Sequence, residues 1–468
     1  MAVIEKNKNY IIDITGMTHE AQGVGRAEGL AVFVDGALEG EQVEVKIIKL
    51  NKSYAVGKLI TILKLSPNRT EPFCGEYKRC GGCNLQHMDY QAQLAFKTGL
   101  VRDALERVGG LKDVNVHDTI GMKRPYKYRN KAQYPVSVID GRAITGFYAA
   151  RSHEVIQSEE CAISHNESDN IRRIVSDFLI ENKITVYNEK TGKGLVRHIL
   201  TRIGYHTGEI MVVLVINGNK MPASEELVRR LIDGDNGGMS TSAVKSIYLN
   251  VNTQKSNVIL GARNILLYGS ETIADTIGRY KFMISPHSFF QVNPVQTEVL
   301  YAKALEYAGL TGKETVFDLY CGIGTISLFL SERATKVYGV EVVEAAIEDA
   351  RRNAQLNGVI NTEFIAGEAE RIVPEMYDNG IRADVVVLDP PRKGCEESLL
   401  QLLVEMQPDR IVYVSCNPST LARDLKYLDG HGYKVEEVQP VDMFPWSGHV
   451  ETCVLLSHKK SQASSPSL

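Results

Sequence analysis

The chain has 468 residues, of which 44% are hydrophobic and 24% charged, with a formal net charge of −4. That length exceeds what one core supports, so roughly two to four domains are expected, and the composition excludes a disordered or collagen-like chain. The charge excludes a generally basic nucleic-acid coat but not a local basic groove, and eight cysteines without an export signal exclude a disulfide scaffold.

The first ten residues carry Glu5, Lys6 and Lys8 and no long apolar core, so they read as neither a secretory signal nor a presequence. No run approaches the ~20 apolar residues of a membrane helix, and a cytoplasmic protein with no membrane contact is expected. Residues 10–62 alternate apolar and polar positions in short runs between glycine-containing turns, the pattern of a small β-barrel, here bounded at 1–62. Residues 67–72 read as a linker. A cysteine-rich knuckle follows at 74–83, then a helical stretch at 90–108. From Lys123 to Lys131 the chain carries five positive charges and two tyrosines without one acid, and Tyr134 follows; such interleaving suits phosphate contacts with base stacking. Mixed strand and helix patterns mark a central α+β domain at 63–270. Beyond Pro286, strands alternate with helices, which predicts a doubly wound parallel sheet within a domain at 271–458. Residues 459–468 read as a disordered tail.

The chemistry concentrates in that last domain. Asp318-Leu319-Tyr320-Cys321-Gly322-Ile323-Gly324 is a strand end in a Gly-rich turn that opens a helix, and Glu341 ends the next strand 19 residues after Gly322, where a carboxylate can grip a ribose. Ser327 stands where a dinucleotide site needs a third glycine, which favours S-adenosylmethionine, a donor without pyrophosphate. Asp389-Pro390-Pro391-Arg392 adds a rigid acidic turn after another strand. Cys416, in Ser415-Cys416-Asn417-Pro418 after an apolar strand, is a candidate nucleophile. Carbon 5 of uracil is a poor nucleophile until something adds to carbon 6, and a thiolate suits that reversible addition. Removal of the carbon-5 proton then requires a nearby base, for which Glu451 is the candidate and His449 a competitor.

On Phe289-Phe290-Gln291-Val292-Asn293, the Asp318–Gly324 turn, Asp389-Pro390-Pro391-Arg392-Lys393-Gly394, Ser415-Cys416-Asn417-Pro418 and His449-Val450-Glu451-Thr452, the chain resembles the bacterial RNA uracil-5-methyltransferase family. The resemblance implies a multidomain α/β protein: a Rossmann-like S-adenosylmethionine-dependent domain, the central α+β domain, and an OB-like TRAM barrel at the N-terminus. It implies Cys416 as nucleophile, Glu451 as base, and Gln291, Tyr320, Glu341 and Asp389 as donor-binding residues, with Phe289 stacking on the target base. It implies a [4Fe-4S] cluster on Cys74, Cys80, Cys83 and Cys161; read from the residues, four thiolates suit zinc or iron–sulfur equally. The implied substrate is one or two unpaired loop uridines of 23S ribosomal RNA, flipped for attack, with no obligate protein partner. Alternatives are a transfer-RNA uracil-5-methyltransferase, an RNA cytosine-5-methyltransferase, which usually has a Pro-Cys pair where this chain has Pro390-Pro391, an exocyclic-amine methyltransferase, and a non-catalytic ribosome-assembly factor.

Overall fold

A computed structural model describes residues 4–233 and 243–459. β1 (Asn9–Met17), β2 (Gln22–Ala27), β3 (Leu30–Asp35), β4 (Gln42–Leu50) and β5 (Tyr54–Lys64) close into a barrel in the order β1-β2-β3-β5-β4. Period-two alternation turns Ile12, Ile14, Val32, Val34, Val43, Val45 and Ile47 inward. Closure needs β1 and β2 to approach closely at Gly25, where a Cβ would stand 2.5 Å from the Asp13 carbonyl oxygen.

Asp89 caps α1 (Tyr90–Ala104) by accepting from the Gln91 and Ala92 amides, and a π-turn over Leu105–Gly109 continues it to a left-handed Gly110. This helix packs against the carboxyl-terminal helix at 418–430, and β6 (Asn115–Val116) joins the edge of the carboxyl-terminal sheet. The central unit comprises β7 (Lys131–Ile139), β8 (Arg142–Tyr148), β9 (Val155–Gln157), α2 (Asn166–Glu181), β10 (Val196–Ile203), β11 (Ile210–Ile216), α3 (Ser224–Asp233), β12 (Val244–Val251) and β13 (Arg263–Gly269). Its seven-stranded sheet runs β13-β12-β11-β10-β7-β8-β9, and β10 and β11 are buried at every position. A hairpin of β14 (Ile273–Ile277) and β15 (Tyr280–Ile284) leads out of it.

The last unit alternates as its sequence pattern predicts: α4 (Pro294–Ala308), β16 (Thr315–Leu319), α5 (Thr325–Leu330), β17 (Lys336–Glu341), α6 (Glu344–Leu356), β18 (Thr362–Ala366), α7 (Ala369–Asp378), β19 (Val385–Leu388), α8 (Glu397–Met406), β20 (Arg410–Ser415), α9 (Pro418–Gly430), β21 (Tyr433–Val441) and β22 (Glu451–His458). The sheet order is β18-β17-β16-β19-β20-β22-β21-β6, parallel from β18 to β20, with β22 antiparallel to both neighbours. The chain reverses direction across the sheet between β16 and β19, which opens a crevice at their carboxyl ends. Lys459 closes a turn by donating its amide to Gly432 O; the rest of the expected tail, 460–468, lies outside the described residues.

Candidate active site

Strand register alone gathers the candidate residues at one sheet edge. Leu319 pairs with Leu388 and Leu388 with Tyr413, so Tyr320 and Asp389 leave adjacent strand ends, with Cys416 three residues beyond Tyr413. β20 and β22 run antiparallel with Ser415 opposite Thr452, so Cys416, the residue after β20, and Glu451, the first residue of β22, leave the two strands at the same edge, where the Glu451 charge acts on the thiol. Thus Tyr320 and Asp389 stand at the switch point of the sheet, and Cys416 and Glu451 at the same edge on the next two strands.

The Gly-rich turn takes a tight path: Tyr320, Gly322 and Gly324 all have positive φ, and Tyr320 is held there by its amide donating to Val340 O. Its hydroxyl donates to Glu370 at 2.9 Å. The Glu341 carboxylate spans the turn, accepting from the Gly322 amide at 3.3 Å and the Val343 amide at 2.9 Å. Beneath it Asp318 is fully buried; it accepts from Ser327 Oγ at 2.5 Å, and its other oxygen has no partner. Gln291 is buried, and its carbonyl accepts from the Asn130 side chain at 3.1 Å, whereas Phe289, two residues before it, is 66% exposed.

The electrostatics are one-sided. Burial pushes Asp389 up to about 7. Burial, opposed by Ser327 and reinforced by the Asp389 charge, does the same to Asp318. Glu451 is driven well above the carboxylate range by burial and then by Asp389, with Arg392 opposing. Burial raises the Cys416 thiol to about 11, helped by the Glu451 and Asp389 charges and again opposed by Arg392. Arg392 belongs to the Asp-Pro-Pro-Arg turn, but its side chain had no role in the sequence reading. The structure places its charge on both groups, and its carbonyl accepts from Asn417 Nδ2 and Thr420 Oγ1, which ties that turn to α9. Asp318 and Ser327 also went unassigned, although both lie inside or beside the Gly-rich motif.

Cys416 opens into a groove of about 1500 Å³ that runs past His449 and the cysteine segment to the outer face of the barrel at Lys58–Ile62. Cys74, Cys80, Cys83 and Cys161 are all free thiols. Burial raises the first three, Cys83 to about 12, and the charges of their companions add to this, so the four share one neighbourhood. Among the described residues, no three His, Cys, Asp or Glu side chains converge as ligands of one metal ion. The Gly82 amide points at Cys80 Sγ at 3.3 Å, a hydrogen bond of the kind that thiolate-held clusters use.

The basic run meets the expectation of interleaved stacking only in part. Tyr126 is 46% exposed, whereas Tyr128 and Tyr134 are buried and donate to Pro445 O and Asp169, so packing claims those two rings. Lys127 pairs with Glu160 at 2.7 Å. Among the described residues, no helix is long and apolar enough to cross a membrane.

Comparison with known proteins agrees with this geometry. Residues 246–459 match the family described as tRNA (Uracil-5-)-methyltransferase, and residues 5–60 match the TRAM domain. An uncharacterized RNA methyltransferase of Clostridium tetani is 52% identical over 455 residues, 97% of each chain. One from Halalkalibacterium halodurans is 50% identical and covers 97% of this chain and 98% of its own. The crystal structure of Pyrococcus abyssi tRNA (uracil-54, C5)-methyltransferase in complex with S-adenosyl-L-homocysteine superposes with a TM-score of 0.76 at 29% identity, over 96% of this chain and all of that one.

Proposed function

Because the chain belongs to the RNA uracil-5-methyltransferase family, we propose that it methylates carbon 5 of an unpaired uridine in 23S ribosomal RNA, in the cytoplasm, with S-adenosylmethionine as donor. The observation that carries this is the proximity of Cys416, just past the end of β20, to Glu451 at the start of the antiparallel neighbour β22: the Glu451 and Asp389 charges both act on the thiol, which opens to the groove. The Cys416 thiolate adds to carbon 6 and pushes electron density to carbon 5. S-adenosylmethionine supplies an electrophilic methyl group. Glu451 then takes the proton from carbon 5, and the carbon–sulfur bond breaks to restore the ring and the thiolate.

Gln291, Tyr320, Glu341 and Asp389 are assigned to the donor. An edge lined by Asp318, Glu341, Asp389 and Glu451, with Arg392 as the cation acting on Glu451, favours a sulfonium over a phosphorylated cofactor. Phe289, exposed next to Gln291, is assigned to stacking on the flipped base. Cys74, Cys80, Cys83 and Cys161 are assigned to a [4Fe-4S] cluster on the family resemblance, supported by four free thiols in one neighbourhood whose charges act on one another.

The TRAM barrel on the same groove and the cysteine set support ribosomal RNA. The transfer-RNA name of the Pyrococcus relative supports the second reading, the same chemistry on transfer RNA. In the test, Glu451→Gln is incubated with donor and each RNA. It is expected to retain covalent RNA on Cys416 while turnover falls at least about a hundredfold, since elimination lacks its base. Turnover by Cys416→Ala would refute the thiol route.

A further inference from the structure

Three cations at the foot of the central sheet have no ion-pair partner among the described residues. Arg202, in β10, pairs in register with Lys131 at the start of β7, and Arg129 lies two residues before Lys131. Lys127 of the same run has Glu160 and Asp169. Arg129, Lys131 and Arg202 have no carboxylate within ion-pair distance among the described residues. Burial, and after it the positive charges of Arg202 and Arg129, pull the Lys131 ammonium down to about 8. Arg202 is buried, and its Nε has no partner. Like charges gathered in a partly desolvated place cost free energy unless an anion completes them.

The position says which anion. Arg202 Nη2 donates to the carbonyls of Pro286 and Ser288, and the Asn130 amide donates to Val292 O, so the cations back the loop that carries buried Gln291 and exposed Phe289. On the other side the Arg129 charge reaches His449, which lines the groove with Cys416. We infer that Arg129, Lys131 and Arg202 form a phosphate site that holds the RNA backbone beside the flipped uridine. This rests on the RNA-methyltransferase reading above. A carboxylate is the other anion within reach, since the donor's methionine part carries one.

The test uses the full-length protein with 23S ribosomal RNA, transfer RNA and a uridine-rich single-stranded oligonucleotide. Lys131→Met is expected to lower kcat/KM by about 10–100-fold at moderate salt and to reduce the slope of log affinity against log salt by about 0.7. Donor affinity is expected to stay unchanged, and the melting temperature of the RNA-free protein not to fall, because an uncompensated cation has been removed. Lys131→Arg is expected to restore the slope. Arg129→Gln repeats the test should Lys131→Met not fold. An unchanged slope in a folded variant overturns the site, and a loss of donor affinity with the slope retained assigns the cations to the donor's carboxylate instead. A slope change in a protein that makes no 5-methyluridine leaves the site standing and refutes the methyltransferase reading.

Discussion

Cys416 and Glu451 both sit where burial disfavours their charged forms, and the Glu451 charge makes the Cys416 thiolate more costly still. With the thiol raised to about 11, Cys416 is held overwhelmingly as the neutral thiol at pH 7 in the absence of RNA. The free thiol is therefore quiet, and Arg392, the cation that opposes the shift, is the group on which activation can draw. Alkylation of Cys416 by iodoacetamide is expected to rise about tenfold per pH unit from 7 to 9. Glu451→Gln removes the largest of the charges that raise the thiol, so its alkylation midpoint is expected at lower pH; an identical pH profile would show that the two groups do not communicate. Linkage has the same sign for the carboxyls. Asp389, raised to about 7, costs stability once ionised, so that penalty is small near pH 4 and complete above pH 7.

At the scale of elements, the irregular strap between β21 and β22 delivers Glu451 to the sheet edge. Its start is anchored by a fully buried ion pair: Lys97 of α1 reaches Asp442 at 2.5 Å and donates to Phe444 O, and Tyr90 OH donates to the second Asp442 oxygen. Its middle is Trp446, with positive φ, whose ring donates to Pro125 O and packs in one cluster with Tyr128, Cys83 and Cys161. The strap, the basic run and the cysteine segment therefore share one set of contacts. Lys97→Met strands the Asp442 charge and is expected to destabilise the fold by about 3–5 kcal/mol in urea denaturation, whereas removing both charges with apolar residues costs far less. None of this was legible in the sequence. Lys97 and Asp442 lie 345 residues apart, and neither stands in a motif.

The whole molecule is arranged around the groove from barrel to thiol. The barrel is seated by Glu41, which accepts from the Leu38 amide and from Arg69 at 2.5 Å. Burial would raise this carboxyl, but Arg69 and the amides hold it below its ordinary value. That stabilisation is present above the unfolded carboxylate range and is lost as pH falls through the lowered value. Glu41→Gln is thus expected to cost about 3 kcal/mol at pH 7, with the gap to wild type closing below pH 4 in thermal unfolding. Alternation and Gly-rich strand ends made the barrel and the doubly wound sheet legible, and Asp389, Cys416 and Glu451 could be named because each stands in a short local motif at a strand end. The burial of Tyr128 and Tyr134, the role of Arg392 and the cluster at Arg202 depend on which elements pack together, which local pattern does not encode.

The most direct measurement is transfer of labelled methyl groups from S-adenosylmethionine to unmodified 23S ribosomal RNA and transfer RNA, followed by nucleoside analysis and mapping. 5-Methyluridine at one or two unpaired positions of 23S RNA is the expected result; 5-methylcytidine, or no product on either RNA, would contradict the account.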